Sequence, residues 1–105
     1  MPNKIPEQNR REVIERADGR CEVCGAEGAA IHHIIPRRKR IHRVETLILL
    51  CGPVTFKDTC HYKAHNEDLK DKLRQDLQDY YRQQGHDQDE IRKLMGGRLY
   101  VNNRN

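Results

Sequence analysis

An α+β fold is predicted for this chain of 105 residues. Three observations predict it. Residues 29–35 and 47–50 are short, apolar and partly β-branched, the pattern of strands. Leucines three to four residues apart beyond position 68 mark an amphipathic helix. Cys21, Cys24, Cys51 and Cys60 bracket both strand candidates, where they can tie a small fold together. The length suits one domain.

Residues 1–20 read as a polar arm and a short helix. Pro6 suits a first helical position, Val13, Ile14 and Ala17 give a narrow apolar face, and Gly19 offers a stop. Cys21-Glu22-Val23-Cys24-Gly25 is a knuckle in which Gly25 supplies a positive φ. The first strand covers 29–35 and ends at Pro36. The basic run 37–43 is a loop, 47–50 is the second apolar segment, and Gly52 and Pro53 open another loop to 59. One helix is expected from Cys60 to Gln84, capped by Asp58 or Thr59. Its stripe of Leu69, Leu73, Leu77 and Tyr80 or Tyr81 is expected in the core rather than as an adaptor surface. Gly85 stops it. Asp87 and Glu90 form a capping box for a short helix through Met95, which Gly96 and Gly97 end. The organisation is an arm (1–20), a core (21–66), a helical extension (67–97) and a flexible tail (98–105).

Only 35% of the chain is hydrophobic, with one Phe and no Trp, and mean hydropathy is −1.01. A domain this small and polar needs a staple. The longest apolar run, 47–51, falls far short of the ~20 residues of a membrane helix. The N-terminus has no apolar signal region. A cytoplasmic or intracellular location without a membrane partner is expected. Cysteines in a reducing compartment are more often metal ligands than disulfides. Cys21 and Cys24 form a C-x2-C pair, and Cys51 and Cys60 supply the other half of a structural zinc site, although eight residues separate them. A disulfide, free thiols and a redox dithiol are the alternatives. Zinc at such a site contributes roughly 10–16 kcal/mol of apparent binding free energy to folding.

Histidines sit beside these cysteines. His32 and His33 end the first strand, and His61 and His65 are four apart, on one helix face. If the sulfurs meet on one ion, the two imidazole pairs must also meet. Two helical imidazoles and a third from the strand make a transition-metal site with an open position. The remaining histidine, near neutral pKa, can take a proton from water. Neighbours on an ideal strand face opposite ways, so His32 and His33 share one site only if the strand end bends before Pro36. His42 and His86 are read as solvated.

The net charge is +4, and residues 32–65 carry seven basic side chains against two acidic ones. Such a patch suits a polyanion, best a phosphodiester backbone.

These motifs together resemble the HNH endonuclease family in its zinc-knuckle variant. Cys21-Glu22-Val23-Cys24-Gly25, Ile31-His32-His33-Ile34-Ile35-Pro36-Arg37, Leu47-Ile48-Leu49-Leu50-Cys51 and Cys60-His61-Tyr62-Lys63-Ala64-His65 follow in the family's order, over residues 10–66. The resemblance implies a small ββα-metal (His-Me finger) core with a structural four-cysteine zinc site and flanking helices. It implies that His33 is the general base, and that His32, His61 and His65 hold a catalytic divalent metal (Mg²⁺, Mn²⁺, Ni²⁺ or Zn²⁺). The product ends would be 5′-phosphate and 3′-hydroxyl. DNA is the implied partner, with Arg37, Arg38, Lys39, Arg40, Arg43 and Lys63 holding its backbone. The family's central Asn falls on Thr46, whose hydroxyl can do part of its work of holding the loop and orienting the base. Small relatives often come from phages or mobile elements and work beside packaging proteins, which would place this chain in a host cytoplasm as a monomer. The competing reading is a non-catalytic, zinc-stabilised DNA-binding module, favoured by Thr46.

Overall fold

The computed structural model describes residues 5–36, 39, 41–66 and 68–100. Among them, four helices surround a two-stranded antiparallel sheet in the order α1 (Glu7–Ala17), β1 (Ala30–His33), β2 (Leu47–Leu50), α2 (Cys60–Asn66), α3 (Asp68–Gln83) and α4 (Gln88–Leu94). The α+β class expected from the sequence is therefore present. Among the described residues, no helix is long and apolar enough to cross a membrane.

The sheet sorts the core into two parts. Register pairs Ala30 with Leu50, Ile31 with Leu49, His32 with Ile48 and His33 with Leu47. Leu47 and Leu49 pack with Val13 of α1. Leu50 faces the other way, into a larger cluster with Ile35, Ala64, Leu73, Leu77, Tyr81, Ile91 and Met95. Both faces of β2 are covered, which is why its sequence is continuously apolar rather than alternating. Each fully buried Leu or Ile contributes about 1.5–3 kcal/mol. The helical extension shares this cluster with the middle of the chain.

Side-chain ties fix α1 to the sheet. Arg16 grips both carboxylate oxygens of Glu22 at 2.8 and 2.7 Å and donates to the Leu47 carbonyl at 2.8 Å. Glu22 in turn accepts from Leu49 N at 2.9 Å. The knuckle is thereby pressed against β2. Gly28 permits the close approach, since a Cβ there would meet Leu49 Cδ2 at 2.5 Å. Gly25 has the expected positive φ, +83°.

Several expectations need correction. The first strand stops at His33, because β2 begins only at Leu47 after a 3₁₀ turn over Val44–Thr46. Ile34 and Ile35 instead turn into the core. In α1, Ile14 lies outside the apolar face and is 42% exposed, while Val13 is fully buried. Pro6 caps α1 one position earlier than expected. The single helix over 60–84 is two helices, α2 and α3. At 100° per residue, a straight helix would set the inward pair Cys60 and Ala64 about 140° from the stripe of Leu69, Leu73, Leu77 and Tyr81. Both can face the core only if the helix breaks. Tyr81 is the buried tyrosine, and Tyr80 is exposed.

The tail also differs from expectation. Residues 98–100 fold back on α3, where buried Gln78 donates to the Tyr100 carbonyl at 2.6 Å and accepts its N–H. Residues 101–105 lie outside the described part. The capping box of α4 is present, with Glu90 N donating to Asp87 at 2.8 Å and Asp87 N to Glu90 at 2.9 Å.

Candidate metal centres and the histidine cleft

Cys21, buried, and Cys24, exposed, come from the knuckle, Cys51 follows β2, and Cys60 is the first residue of α2. The loop between Cys51 and Cys60 closes through successive turns. Phe56 N donates to Pro53 O at 3.1 Å and Thr59 N to Phe56 O at 3.0 Å. Thr59 then caps α2, its Oγ1 accepting from Tyr62 N at 3.2 Å. His61 N donates to Cys51 O at 3.0 Å and pins α2 to the end of β2. Eight intervening residues are thus spent on a compact loop that returns the second sulfur to the first pair.

All four sulfurs lie within 4.8 Å of one another. Cys24 Sγ and Cys51 Sγ are 3.7 Å apart. A tetrahedral ion with metal–sulfur bonds of about 2.3 Å has sulfur–sulfur edges of about 3.8 Å, whereas a disulfide needs about 2.05 Å. The four cysteines are free, so of the alternatives the geometry fits a metal site. Backbone N–H groups point at the sulfurs, from Cys24 to Cys21 at 3.5 Å and from Cys60 to Cys51 at 3.2 Å. Burial pushes the Cys21 thiol up, but N–H groups of Cys24, Val23 and Cys51 outweigh it and bring it down to about 6. Burial, and then the neighbouring sulfurs, push Cys60 up. A cation among the four sulfurs would favour their thiolate forms, and the donor set suits zinc.

The second cluster begins one residue along α2. His32, His61 and His65 bring ring nitrogens within 4.8 Å of one another. The rings are 4.7 Å apart for His32–His65, 5.9 Å for His32–His61 and 5.0 Å for His61–His65. His32 is buried and His65 exposed. Burial first, then the charges of His65, His61, His33 and Arg74, push His32 down to about 3. Burial and His65 likewise lower His61. Both rings are neutral near pH 7, with lone pairs available to a metal. Three imidazoles leave a tetrahedral ion one open position.

His33 joins this group at the strand end, where the chain bends at Ile34 and Ile35 before Pro36 as the sequence reading required. An open cleft of about 480 Å³ is lined by the consecutive residues 29–33 as well as by His61 and His65. It runs along the edge of β1, which among the described residues pairs only with β2. Side chains from both faces of a strand reach such an edge. The surroundings carry positive charge from Arg10 of α1 and Lys70 and Arg74 of α3, and among the described residues no carboxylate lines the cleft.

Sequence reasoning missed these three cations. Lys70 and Arg74 are four apart on α3, but a straight wheel continued from His61 and His65 sets them about 180° away, so local spacing does not point to them. Arg74 is held by its Nε–H on Ile34 O at 3.1 Å and by the Tyr100 ring 4.7 Å below its guanidinium. The basic residues singled out from the sequence fare differently. Arg37, Arg38 and Arg40 lie outside the described residues. Lys39 is exposed and Lys63 half-buried, and neither lines the cleft. Arg43 faces inward, to Glu45 at 3.1 Å, the Tyr81 hydroxyl at 3.5 Å and the Leu94 carbonyl.

Thr46 is 1% exposed and away from the cleft lining. Its hydroxyl donates to Arg43 O at 2.8 Å and its carbonyl accepts from Ile34 N at 3.0 Å. It holds the loop. His33 Nε2 instead lies 3.4 Å from His42 Nδ1. That corrects the reading of His42 as solvated. His86 is likewise not simply solvated: it is half-buried, with its ring 5.8 Å from that of Tyr81 and its Nδ1 3.6 Å from Glu90.

Compared with known protein families, with characterised proteins and with solved structures, this chain has no match.

Proposed function

We propose that the protein is a metal-dependent DNA endonuclease of the HNH type, with β1, β2 and α2 as its ββα-metal core. One observation carries the reading: a histidine trio with metal-ligand geometry and a fourth, separate histidine line one cationic cleft. His33 takes a proton from the attacking water while the phosphorus–oxygen bond to the 3′ oxygen breaks. The 3′ oxygen leaves, takes a proton from solvent and becomes a hydroxyl, and the 5′ side keeps the phosphate. Arg10, Lys70 and Arg74 hold the phosphate backbone in the cleft, which positions DNA without reading its sequence. His32, His61 and His65 would hold a divalent metal, which when bound would supply Lewis-acid stabilisation of the phosphate and of the departing oxygen.

The second reading, a zinc-stabilised DNA-binding module without catalysis, is favoured by Thr46, whose hydroxyl faces the loop rather than His33. Supercoiled plasmid separates the two. The nuclease reading expects nicked or linear product with Mg²⁺, Mn²⁺ or Ni²⁺ and none after EDTA. Retarded but intact plasmid under every metal supports the binding module and sinks the enzyme.

A further inference from the structure

We propose that Tyr100 is the positioning residue for Arg74: its ring holds the guanidinium so that the terminal nitrogens face the phosphate held in the cleft. The inference rests on the reading of the cleft as a phosphodiester site, and deepens it by setting Arg74 apart from Arg10 and Lys70. All three cations line the cleft. Arg74 is held at two points. Its Nε–H donates to Ile34 O at 3.1 Å. Its Cζ lies 4.7 Å from the centre of the Tyr100 ring, well inside the reach of about 6 Å for a cation over an aromatic face. Ile34 directly follows His33, so the first anchor sets the guanidinium beside the end of β1.

An arginine carries N–H donors on three nitrogens, and the Ile34 carbonyl takes the one on Nε. The terminal pair forms a planar fork that matches two phosphate oxygens. Among the described residues no carboxylate forms an ion pair with Arg74. Its charge is therefore not spent within the fold. A fork already fixed in place stabilises negative charge on a phosphate without having to reorganise. No proton or bond is exchanged with it.

The ring is itself well supported. Lys70, Arg74 and Gln78 follow one another at four-residue steps along one row of α3. The first two reach the cleft, and the third is buried. Gln78 donates to the Tyr100 carbonyl at 2.6 Å and accepts the Tyr100 N–H, and Gln75 donates to the same carbonyl at 2.8 Å. Two glutamines thus fix the main chain of one residue, and those bonds depend on no side chain at position 100. Leu99 and Tyr100 also pack against the larger core cluster. What the side chain adds is an aromatic face, and it gathers a second cation, with Arg98 Cζ 5.3 Å from the same centre. Placement on a packed helix gives the rigidity that a binding geometry requires.

NMR of the arginine side chains in the full, zinc-reconstituted chain reads the contact directly. In the wild type the ring should displace the Arg74 Nε–H signal from those of solvated arginines. Tyr100→Phe keeps the displacement, and Tyr100→Leu, which leaves the main-chain grip intact, removes it. In plasmid cleavage Tyr100→Leu should lower kcat by up to about 100-fold, the size of loss that a misplacement of about 1 Å brings. KM should stay near wild type, because Arg10 and Lys70 still hold the backbone, and Tyr100→Phe should cut at the wild-type rate. In an Arg74→Lys background Tyr100→Leu should cost nothing further, as expected when one residue acts through the other. An Nε–H signal indifferent to position 100 overturns the proposal whether or not the protein cuts DNA. So does a Tyr100→Leu change that slows the Arg74→Lys protein as much as the wild type. A signal that follows position 100 in a protein that cuts nothing under any metal supports the positioning role and removes the nuclease reading.

Discussion

The cysteine cluster and the histidine cluster are built from the same pieces and differ in one respect. Each takes donors from a strand or its flank and from the first turns of α2, and Cys60 and His61 are adjacent. The cysteine cluster has four donors, backbone N–H groups directed at its sulfurs and two deeply buried members. It is closed. The histidine cluster has three donors, an exposed member and an open cleft in front of it. A closed site can only hold the chain together, whereas one with a vacant coordination position can also bind a reactant. On the proposed reading, two neighbouring residues on one helix serve stability and chemistry separately.

The largest expected effect breaks the closed site. Zinc chelation, or Cys60→Ser, should abolish cooperative thermal unfolding followed by circular dichroism, a loss on the order of 10 kcal/mol. His61→Ala should leave that transition in place and remove the second metal only. Next comes the open site. His33→Ala should lower plasmid cleavage by about 10²- to 10⁴-fold, with zinc content and unfolding midpoint unchanged. If His33→Ala unfolds the protein as chelation does, the division of labour is wrong.

Acid tests the same comparison. Burial holds His32 at about 3 in the fold, against 6.5 for the free side chain. Below pH 6.5 the unfolded chain takes up a proton that the folded chain refuses. Stability is therefore full above 6.5 and declines as pH falls toward 3, by a few kcal/mol in all for a group this buried. Denaturant midpoints of zinc-loaded protein between pH 7 and 4 should show the decline, and His32→Gln should flatten it.

The smallest effects concern charge. Lys70→Ala should weaken DNA binding equally for all sequences and reduce the salt slope by about 1. Arg43→Ala should leave the slope alone and lower the unfolding midpoint, because Arg43 is spent on Glu45, Tyr81 and Leu94. A salt-slope change in Arg43→Ala would put the DNA-facing surface on the other side of the loop.

What was legible in the sequence was what local spacing controls. C-x2-C and the i, i+4 pair His61 and His65 forecast their own geometry, as did the Asp87–Glu90 capping box. The break between α2 and α3 was also written there, in the angular mismatch between Cys60–Ala64 and the later leucines. Long-range partners were not. Nothing local tells that Asn9 reaches His42, that Arg43 turns onto α4, or that Gln78 captures the Tyr100 backbone. Those contacts depend on where the sheet places α1 and the C-terminal helices, and they decide which cations face the histidines.

Cobalt(II) titration of metal-free protein, with plasmid cleavage followed at each step, tests the separation of the two sites most directly. The account predicts that the first equivalent gives thiolate-to-cobalt charge-transfer absorption and no cleavage. The second should add no thiolate band and switch cleavage on, and His61→Ala should lose only that second step. Saturation at one equivalent, or cleavage that rises with the thiolate band, would contradict it.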